Sequence, residues 1–292
     1  MQRRNFVKLS GVAAALQCLP SIGFSQQGDV FRIGSLTPIT GAGSPYGPGM
    51  QQAIRLAVDE VNAAGGAGGR KLELFTEDDQ TKPDAAVLAA KKLIEVNKVQ
   101  AVLGTWASGV TLAVMPLTDA AGIIQMNVSG APAISTLDTK DLVWRFQATN
   151  DRFGAAFAEI CTKRGFKRPA TMAFNNASGL GNVEGFTKAW EKRGGKVAAH
   201  VTYEPSRPSY RSELQKILAA KPDVLFVGGA SEPTALVVKQ ARELGFKGGF
   251  VIIDQAKMDQ MKPILGGNYA MLEGAIGTHP HRTATADTSD ID

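Results

Sequence analysis

Two serines lie at positions where a hydroxyl could act as a nucleophile or as a hydrogen-bond donor. Ser108 and Ser129 each follow an apolar run that is typical of a buried strand. A serine nucleophile on a strand-to-helix turn needs a Gly-x-Ser-x-Gly sequence and a base within reach. Neither serine has those glycine neighbours, so we interpret both as binding residues.

The other side chains that could support catalysis or hold a metal are scattered along the chain. His200 lies in a strand pattern, His279 and His281 lie near the C-terminus, and Cys161 lies among apolar residues of a predicted helix. A zinc site needs three or four converging ligands. The sequence therefore predicts no metal site and no enzyme.

A glycine-rich loop near the N-terminus is the one feature that suggests a cofactor. Gly41, Gly43 and Gly47 follow a predicted strand and precede a helix, and the next strand ends in acidic residues, which are loosely the parts of a dinucleotide site. Three prolines in this loop, however, remove N–H donors that would hold a pyrophosphate. A small organic ligand that contacts Tyr46 is favoured, and no cofactor is predicted.

Both serines belong to one segment, residues 101–131, which has the pattern strand, loop, helix, strand, loop. The carboxyl ends of parallel strands line the crevice in which ligands bind to open α/β sheets. We therefore expect the loops at residues 105–109 and 129–131 to face one cleft.

The remaining elements continue this alternation of strands and helices, which predicts an α/β fold with doubly wound parallel sheets. Residues 147–151 are polar and unpatterned, and the same alternation restarts after them. The expected organisation is an export signal at 1–25, a first lobe at 26–147, a second lobe at 148–276, and a crossover with a disordered tail at 277–292.

Two local patterns give more detailed predictions. Thr81 and Asp84 have the spacing of a capping box in front of a helix over residues 85–96. Residues 175–181 are rich in glycine and are predicted to form a loop before a helix over residues 183–193.

The first 25 residues have the features of an export signal. Arg3, Arg4 and Lys8 form a basic region that precedes a mildly apolar stretch, and small residues before Gln26 suggest a cleavage site. The paired arginines also resemble the twin-arginine motif, so the twin-arginine and the general secretory routes both stay open. Either route predicts a periplasmic location.

Composition excludes some other functions. Removal of the signal lowers the formal net charge of +5 to about +2, and no basic cluster is interleaved with aromatic residues, so nucleic-acid binding is not expected. Cys161 is the single cysteine after residue 25, which excludes an intrachain disulfide in the mature chain.

Several short motifs occur in an order that is familiar from one family. The sequence resembles the periplasmic type I substrate-binding proteins of ABC transporters, in particular the leucine/isoleucine/valine-binding family. The motifs are Tyr46 with Gly47, residues 62–66, 69–73, 77–80 and 104–109, Pro132, and residues 228–229 and 239–245.

The resemblance implies two lobes, joined by a hinge, that close on a small ligand. Tyr46 corresponds to an aromatic residue over the ligand, and Ser108 to a serine that binds the ligand carboxylate. Main-chain amides of residues 129–131 would assist Ser108, and Asp254 would face a ligand ammonium. The full set of candidate ligand-binding residues is Tyr46, Trp106, Ser108, Ser129, Gly130, Ala131, Asn150, Ala230 and Asp254.

Departures from the family pattern affect the expected ligand. Ala230 and Leu180 replace aromatic residues of the second lobe, and Gly130 or Ala131 stands where a threonine often assists the carboxylate. Leucine itself is therefore disfavoured, while an amino acid or another small carboxylate or amide is retained. Asp254 could instead face the hinge or cap a helix, and Trp106 could pack on the surface.

The predicted function is that of a monomeric periplasmic receptor that delivers its ligand to a membrane ABC permease. Family members return to the first lobe after a region that corresponds to residues 273–278, so the resemblance implies that this return is incomplete. The alternatives are an exported nucleotide-dependent oxidoreductase and a sensory ligand-binding module without a role in transport.

Overall fold

The computed structural model describes residues 30–204, 207–229, 231–253 and 261–277, with only the backbone of residues 231 and 232. The predicted export signal, Ala230, Asp254 and the predicted tail from residue 278 lie outside the described residues.

The first sheet has five parallel strands in the order β2-β1-β3-β4-β5. Its strands are β1 (Phe31–Thr37), β2 (Leu72–Asp78), β3 (Ala101–Thr105), β4 (Ile124–Asn127) and β5 (Val143–Arg145). Because β3 and β4 are neighbours, the loops that follow them begin side by side.

The second sheet repeats this topology in the order β10-β9-β8-β6-β7. Its strands are β6 (Pro169–Phe174), β7 (His200–Tyr203), β8 (Val224–Gly228), β9 (Gly249–Ile252) and β10 (Ile276–Gly277). The prediction of an α/β fold with two parallel-sheet lobes is therefore confirmed.

Eight α-helices connect the strands within the described ranges. They are α1 (Gly47–Ala63), α2 (Pro83–Lys91), α3 (Ser108–Ala121), α4 (Ala133–Leu137), α5 (Asn150–Lys163), α6 (Ala177–Glu191), α7 (Arg211–Leu218) and α8 (Ser231–Glu243). Short 3-10 turns lie at Gly41–Gly43 and Tyr269–Leu272, and a π-helical turn at Lys92–Val96 extends α2. Within the described ranges, no helix is long and apolar enough to cross a membrane.

The capping box predicted at Thr81 is wrong. Helix α2 begins at Pro83, and its N-cap residue, Lys82, makes no side-chain capping bond. The Thr81 hydroxyl instead accepts a hydrogen bond of 2.8 Å from Gly43 N and lies 3.1 Å from Thr40 O, so it supports the glycine-rich loop. The Thr81 side chain therefore bonds to a loop that is distant in the sequence and does not cap the helix that follows it.

The loop predicted at residues 175–181 is also wrong, because helix α6 already begins at Ala177. Asn176 caps this helix by accepting a hydrogen bond of 2.7 Å from Gly179 N. The glycines of α6 allow close helix contact: a Cβ on Gly185 would lie 2.3 Å from the Asp151 Cα of α5. Glycine here serves packing, which the composition of the segment does not distinguish from a loop.

Each sheet has its own apolar core. In the first lobe, Leu36, Val102 and Val114 are among the fully buried residues between the sheet and helices α2 and α3. In the second lobe, one cluster lies against α7 and α8 and another against α5 and α6. Cys161 belongs to the latter cluster, where burial raises the pKa of its thiol to about 12.

Two large apolar residues at the β5 edge of the first sheet are exposed to solvent. Trp144 is 49% exposed and Phe146 is 64% exposed. Side chains alternate along a strand, so these two residues share one face of the sheet, whereas Val143 packs on the other face against Met115, Ala131 and Ile134.

Candidate functional site

The predicted binding loops meet at the carboxyl ends of β3 and β4. Helix α3 begins at Ser108, three residues after the end of β3, and its N-cap residue, Ala107, makes no side-chain capping bond. The first backbone N–H groups of a helix have no intrahelical partner and carry a partial positive charge. This end of α3 can therefore accept a negatively charged group.

Ser108 lies at this helix end and touches the second loop. Its side-chain oxygen accepts a hydrogen bond of 3.1 Å from Ala131 N, and the residue is 3% exposed. Among the described residues, no acceptor is assigned to its hydroxyl proton. Ser108 thus links the two loops and still has a proton to donate.

Ser129 is oriented into the protein. Its hydroxyl lies 2.8 Å from Trp106 O and 2.5 Å from the Thr111 hydroxyl, and the side chain is fully buried. Its backbone N–H donates to Asn127 Oδ1 at 3.0 Å. Both polar groups that Ser129 could offer to a ligand are thus bonded within the chain.

Of the amides predicted to assist Ser108, one is without an assigned acceptor in the described part of the chain. Ala131 N donates to Ser108, and Ser129 N donates to Asn127. Gly130 N has no such partner, whereas Gly130 O accepts a hydrogen bond of 2.7 Å from Asn150 N. The available donors are therefore Gly130 N–H, the Ser108 hydroxyl and the first amides of α3, and we call this group the anion seat.

Asn150 connects the anion seat with the second lobe. Its side-chain nitrogen donates to Ser178 O at 3.1 Å and lies 2.8 Å from Ser178 Oγ. Because a carbonyl oxygen only accepts, the amide nitrogen must face Ser178, and Oδ1 faces Gly130. A Cβ on Gly130 would lie 1.7 Å from that oxygen. A threonine side chain, which the sequence resemblance led us to look for near this position, therefore has no room at residue 130.

Tyr46 and Trp106 stack on each other, with ring centroids 4.7 Å apart and an interplanar angle of 21°. Trp106 directly follows β3, and Tyr46 precedes α1. The structure thus brings together the two aromatic residues that the sequence predicted for the site. Such a pair offers a rigid apolar surface at low entropic cost.

A turn at the end of β2 positions the Tyr46 loop. Asp78 accepts hydrogen bonds from Thr40 N and Thr40 Oγ1, at 3.1 and 2.6 Å, and Thr81 supports Gly43. Thr81 has a φ of 58°, which is unusual for a β-branched residue, and its two hydroxyl contacts hold it there.

Asp79 is a buried carboxylic acid in this same turn. Its Oδ1 accepts a hydrogen bond of 2.7 Å from Thr81 N, whereas Oδ2 is buried without an assigned partner in the described part of the chain. Burial raises the pKa of Asp79 from 3.8 to about 6, with a smaller contribution from the charge of Asp78.

The second lobe adds fewer predicted residues to the described site. Leu180 lies in the first turns of α6 and is partly exposed, and the amide of Gly179 is already used by the Asn176 cap. A surface groove of about 560 Å³ includes Leu180 and His200, but no residue of the anion seat lines it. Ala230 and Asp254 lie outside the described residues, and their roles stay predictions.

The order of these elements matches a known family over nearly the whole chain. The model of a periplasmic binding protein family matches residues 30–291. This chain belongs to that family. Its two parallel-sheet lobes match the structures of type I periplasmic binding proteins, and relatives named for binding leucine, isoleucine and valine are among the proteins to which it is similar.

Individual relatives are similar at modest identity. An amino acid binding protein of Pseudomonas aeruginosa is 26% identical over 236 residues, which cover 80% of this chain and 63% of that protein. The crystal structure of the leucine binding protein LivK from Thermotoga maritima is 26% identical, with a TM-score of 0.79 over 88% of this chain and 72% of that chain.

A second similar structure was solved with an aromatic acid. It is a solute binding protein of an ABC transporter from Rhodopseudomonas palustris, in complex with 3,4-dihydroxybenzoic acid. It is 26% identical, with a TM-score of 0.67, over 77% of this chain and 61% of that chain. The chain thus spans less than two thirds of this protein and of the Pseudomonas relative.

Sequence reasoning missed the polar residues below the anion seat. Thr105, Thr111, Thr118 and Gln125 are fully buried, and hydrogen bonds connect them with Ser129. A weak signal existed, because polar residues on apolar helix α3 need buried partners. The partners themselves come from separate strands and are not apparent from the sequence.

Proposed function

We propose that this protein is a periplasmic receptor that binds a small carboxylate-bearing ligand between its two lobes and delivers it to a membrane ABC permease. The ligand class is an amino acid or another small carboxylate, with a related small amide as the alternative. The protein acts as a monomer and reaches the periplasm through its N-terminal signal.

The anion seat is the observation that carries this proposal. It combines the uncapped end of α3, the Ser108 hydroxyl and Gly130 N–H at the carboxyl ends of adjacent strands. Several directed donors around one carboxylate offset the cost of removing the anion from water. The stacked pair of Tyr46 and Trp106 supports an apolar or aromatic group next to that carboxylate.

The similar proteins support the same ligand chemistry. One is named for amino acid binding, and another was crystallised with 3,4-dihydroxybenzoic acid. Amino acids and hydroxybenzoates differ in size and in the ammonium group, but both present a carboxylate. The carboxylate is therefore the shared element on which the proposal rests.

A ligand screen tests this function. Purified protein is examined by thermal shift against branched-chain amino acids, hydroxybenzoates, short aliphatic carboxylates and amides, and positive results are measured by calorimetry. A ligand that binds the native state raises Tm in a concentration-dependent way. Binding of NAD with no response to any carboxylate would instead favour the exported oxidoreductase.

A further inference from the structure

Below the anion seat lies a group of hydroxyl and amide side chains that no proposed ligand contact uses. Thr111, on the inner face of α3, is at its centre. Its hydroxyl lies 2.9 Å from Thr105 Oγ1 and 2.5 Å from Ser129 Oγ. All three side chains are fully buried, so water does not substitute for these hydrogen bonds.

The group joins the two loops that form the anion seat. Through Ser129 it reaches Trp106 O, which fixes the peptide group two residues before Ser108. Ser129 also begins the second loop, in which Ala131 N donates to Ser108. Thr111 therefore connects, within two hydrogen bonds, the loop of Ser108 with the loop of Gly130.

An irregularity in β3 directs Thr105 toward Thr111 and Gln125. The pairing of β3 with β4 shifts register between Leu103 and Thr105, at Gly104, which has a φ of 99°. A β-bulge redirects the side chain that follows it. Thr105 is thereby available to bond with both Thr111 and Gln125, the latter at 3.3 Å.

We infer that Thr111 is a positioning residue whose hydroxyl holds the two loops at the spacing that a carboxylate requires. This inference rests on the proposed function, because it concerns the same anion seat. Thr111 itself is too deeply buried to contact the ligand. Its effect is on the direction of the Ser108 hydroxyl and of Gly130 N–H.

The test uses a nearly isosteric change. Thr111→Val removes the hydroxyl and keeps the shape, and Thr111→Ser keeps the hydroxyl. The matched control is Thr171→Val in the second lobe, because Thr171 is also fully buried and its hydroxyl makes one side-chain bond, of 2.8 Å, to His200 Nδ1. Ser129→Ala interrupts the same connection and replaces Thr111→Val if that variant does not fold.

Two measurements are made on each variant. The first is the affinity ratio of a carboxylate to its primary amide, with L-leucine and 4-hydroxybenzoate and their amides as the probes. Loss of about one directed hydrogen bond corresponds to about a tenfold decrease in this ratio. The second is hydrogen exchange of the peptide that contains Ala131 N–H, which needs no ligand.

Thr111→Val should lower the carboxylate preference about tenfold and accelerate exchange at Ala131. Thr111→Ser and Thr171→Val should leave both unchanged. Unchanged exchange and preference in Thr111→Val would overturn the inference and leave the proposed function intact. If no probe binds the wild type, the proposed function fails for these ligands, and exchange at Ala131 alone decides whether Thr111 holds the loops.

Discussion

The side-chain oxygen of Asn150 lies only 1.7 Å from the position that a Cβ on Gly130 would take. A residue of the second lobe thus determines which residue the first lobe can have in its anion seat. Asn150 N also donates to Gly130 O, and its amide nitrogen donates to Ser178. The junction between the lobes and the anion seat are therefore one structural unit.

Gly130→Ala should destabilise the protein, because the new methyl group must displace the Asn150 amide and break its bonds to Ser178. Overpacking of this kind costs about 1–3 kcal/mol. Chemical denaturation measures the change in the free energy of unfolding. Gly49→Ala is the control: it lies in helix α1 with no atom within 4 Å of the new Cβ, and should be neutral or slightly stabilising.

Ser108→Ala should weaken binding of a carboxylate ligand without unfolding the protein. The change removes a hydroxyl that bonds Ala131 N and has a proton available for the ligand. A hydrogen bond to a charged group contributes about 1.5–3 kcal/mol, so we expect at least a tenfold increase in Kd by calorimetry. Retained affinity would place the carboxylate elsewhere.

Asp79→Asn should stabilise the protein at neutral pH. The pKa of Asp79 in the folded protein is about 6, above its ordinary value of 3.8, so the unfolded chain loses this proton first as pH rises. The contribution of this carboxyl group to the free energy of unfolding is fully present below about pH 4 and is lost as pH rises through about 6. A shift of about two units corresponds to up to about 3 kcal/mol.

The measurement is Tm as a function of pH from 4 to 8, where the difference between Asp79→Asn and wild type should grow and then level off above pH 6. Asp78→Asn is the opposite control. Despite the opposing effect of burial, hydrogen bonds from Thr40 and Gln80 lower the pKa of Asp78, so its loss should destabilise the protein at neutral pH. Equal pH profiles for wild type and Asp79→Asn would contradict the assignment.

Polar substitution of the exposed apolar residues at β5 should reduce self-association. Trp144→Lys combined with Phe146→Lys removes two large apolar side chains from one exposed face of the sheet, where they are 49% and 64% exposed. Light scattering should show less aggregate, with little change in Tm. Leu88→Lys is a control, since Leu88 is exposed on helix α2, apart from this face.

Much of the architecture follows from patterns that are local in the sequence. Alternating apolar strands and amphipathic helices give the two sheets, and the loops after β3 and β4 meet as expected because parallel strands end at one edge. Asn176 and Thr81 show the limit, since one caps a helix inside a glycine-rich segment and the other leaves its helix to support a distant loop.

The candidate site was predictable in part. Tyr46 stacks on Trp106, and Ser108 contacts the loop after β4, whereas the Ser129 hydroxyl is directed inward to Thr111 and Trp106. The direction of a side chain at a strand end depends on partners from other elements. The spacing of residues in the sequence does not show which of those partners will be close to the side chain.

The unequal ends of α3 and α6 have a consequence for the order of events during binding. Asn176 already occupies an amide at the start of α6, while the start of α3 has no side-chain cap. Of these two helix ends, the start of α3 is therefore the one whose amides no side chain caps, and it lies in the first lobe. We expect capture to begin there, so that the rate of association depends on α3 and the residence time on how the second lobe closes over a ligand that is already held.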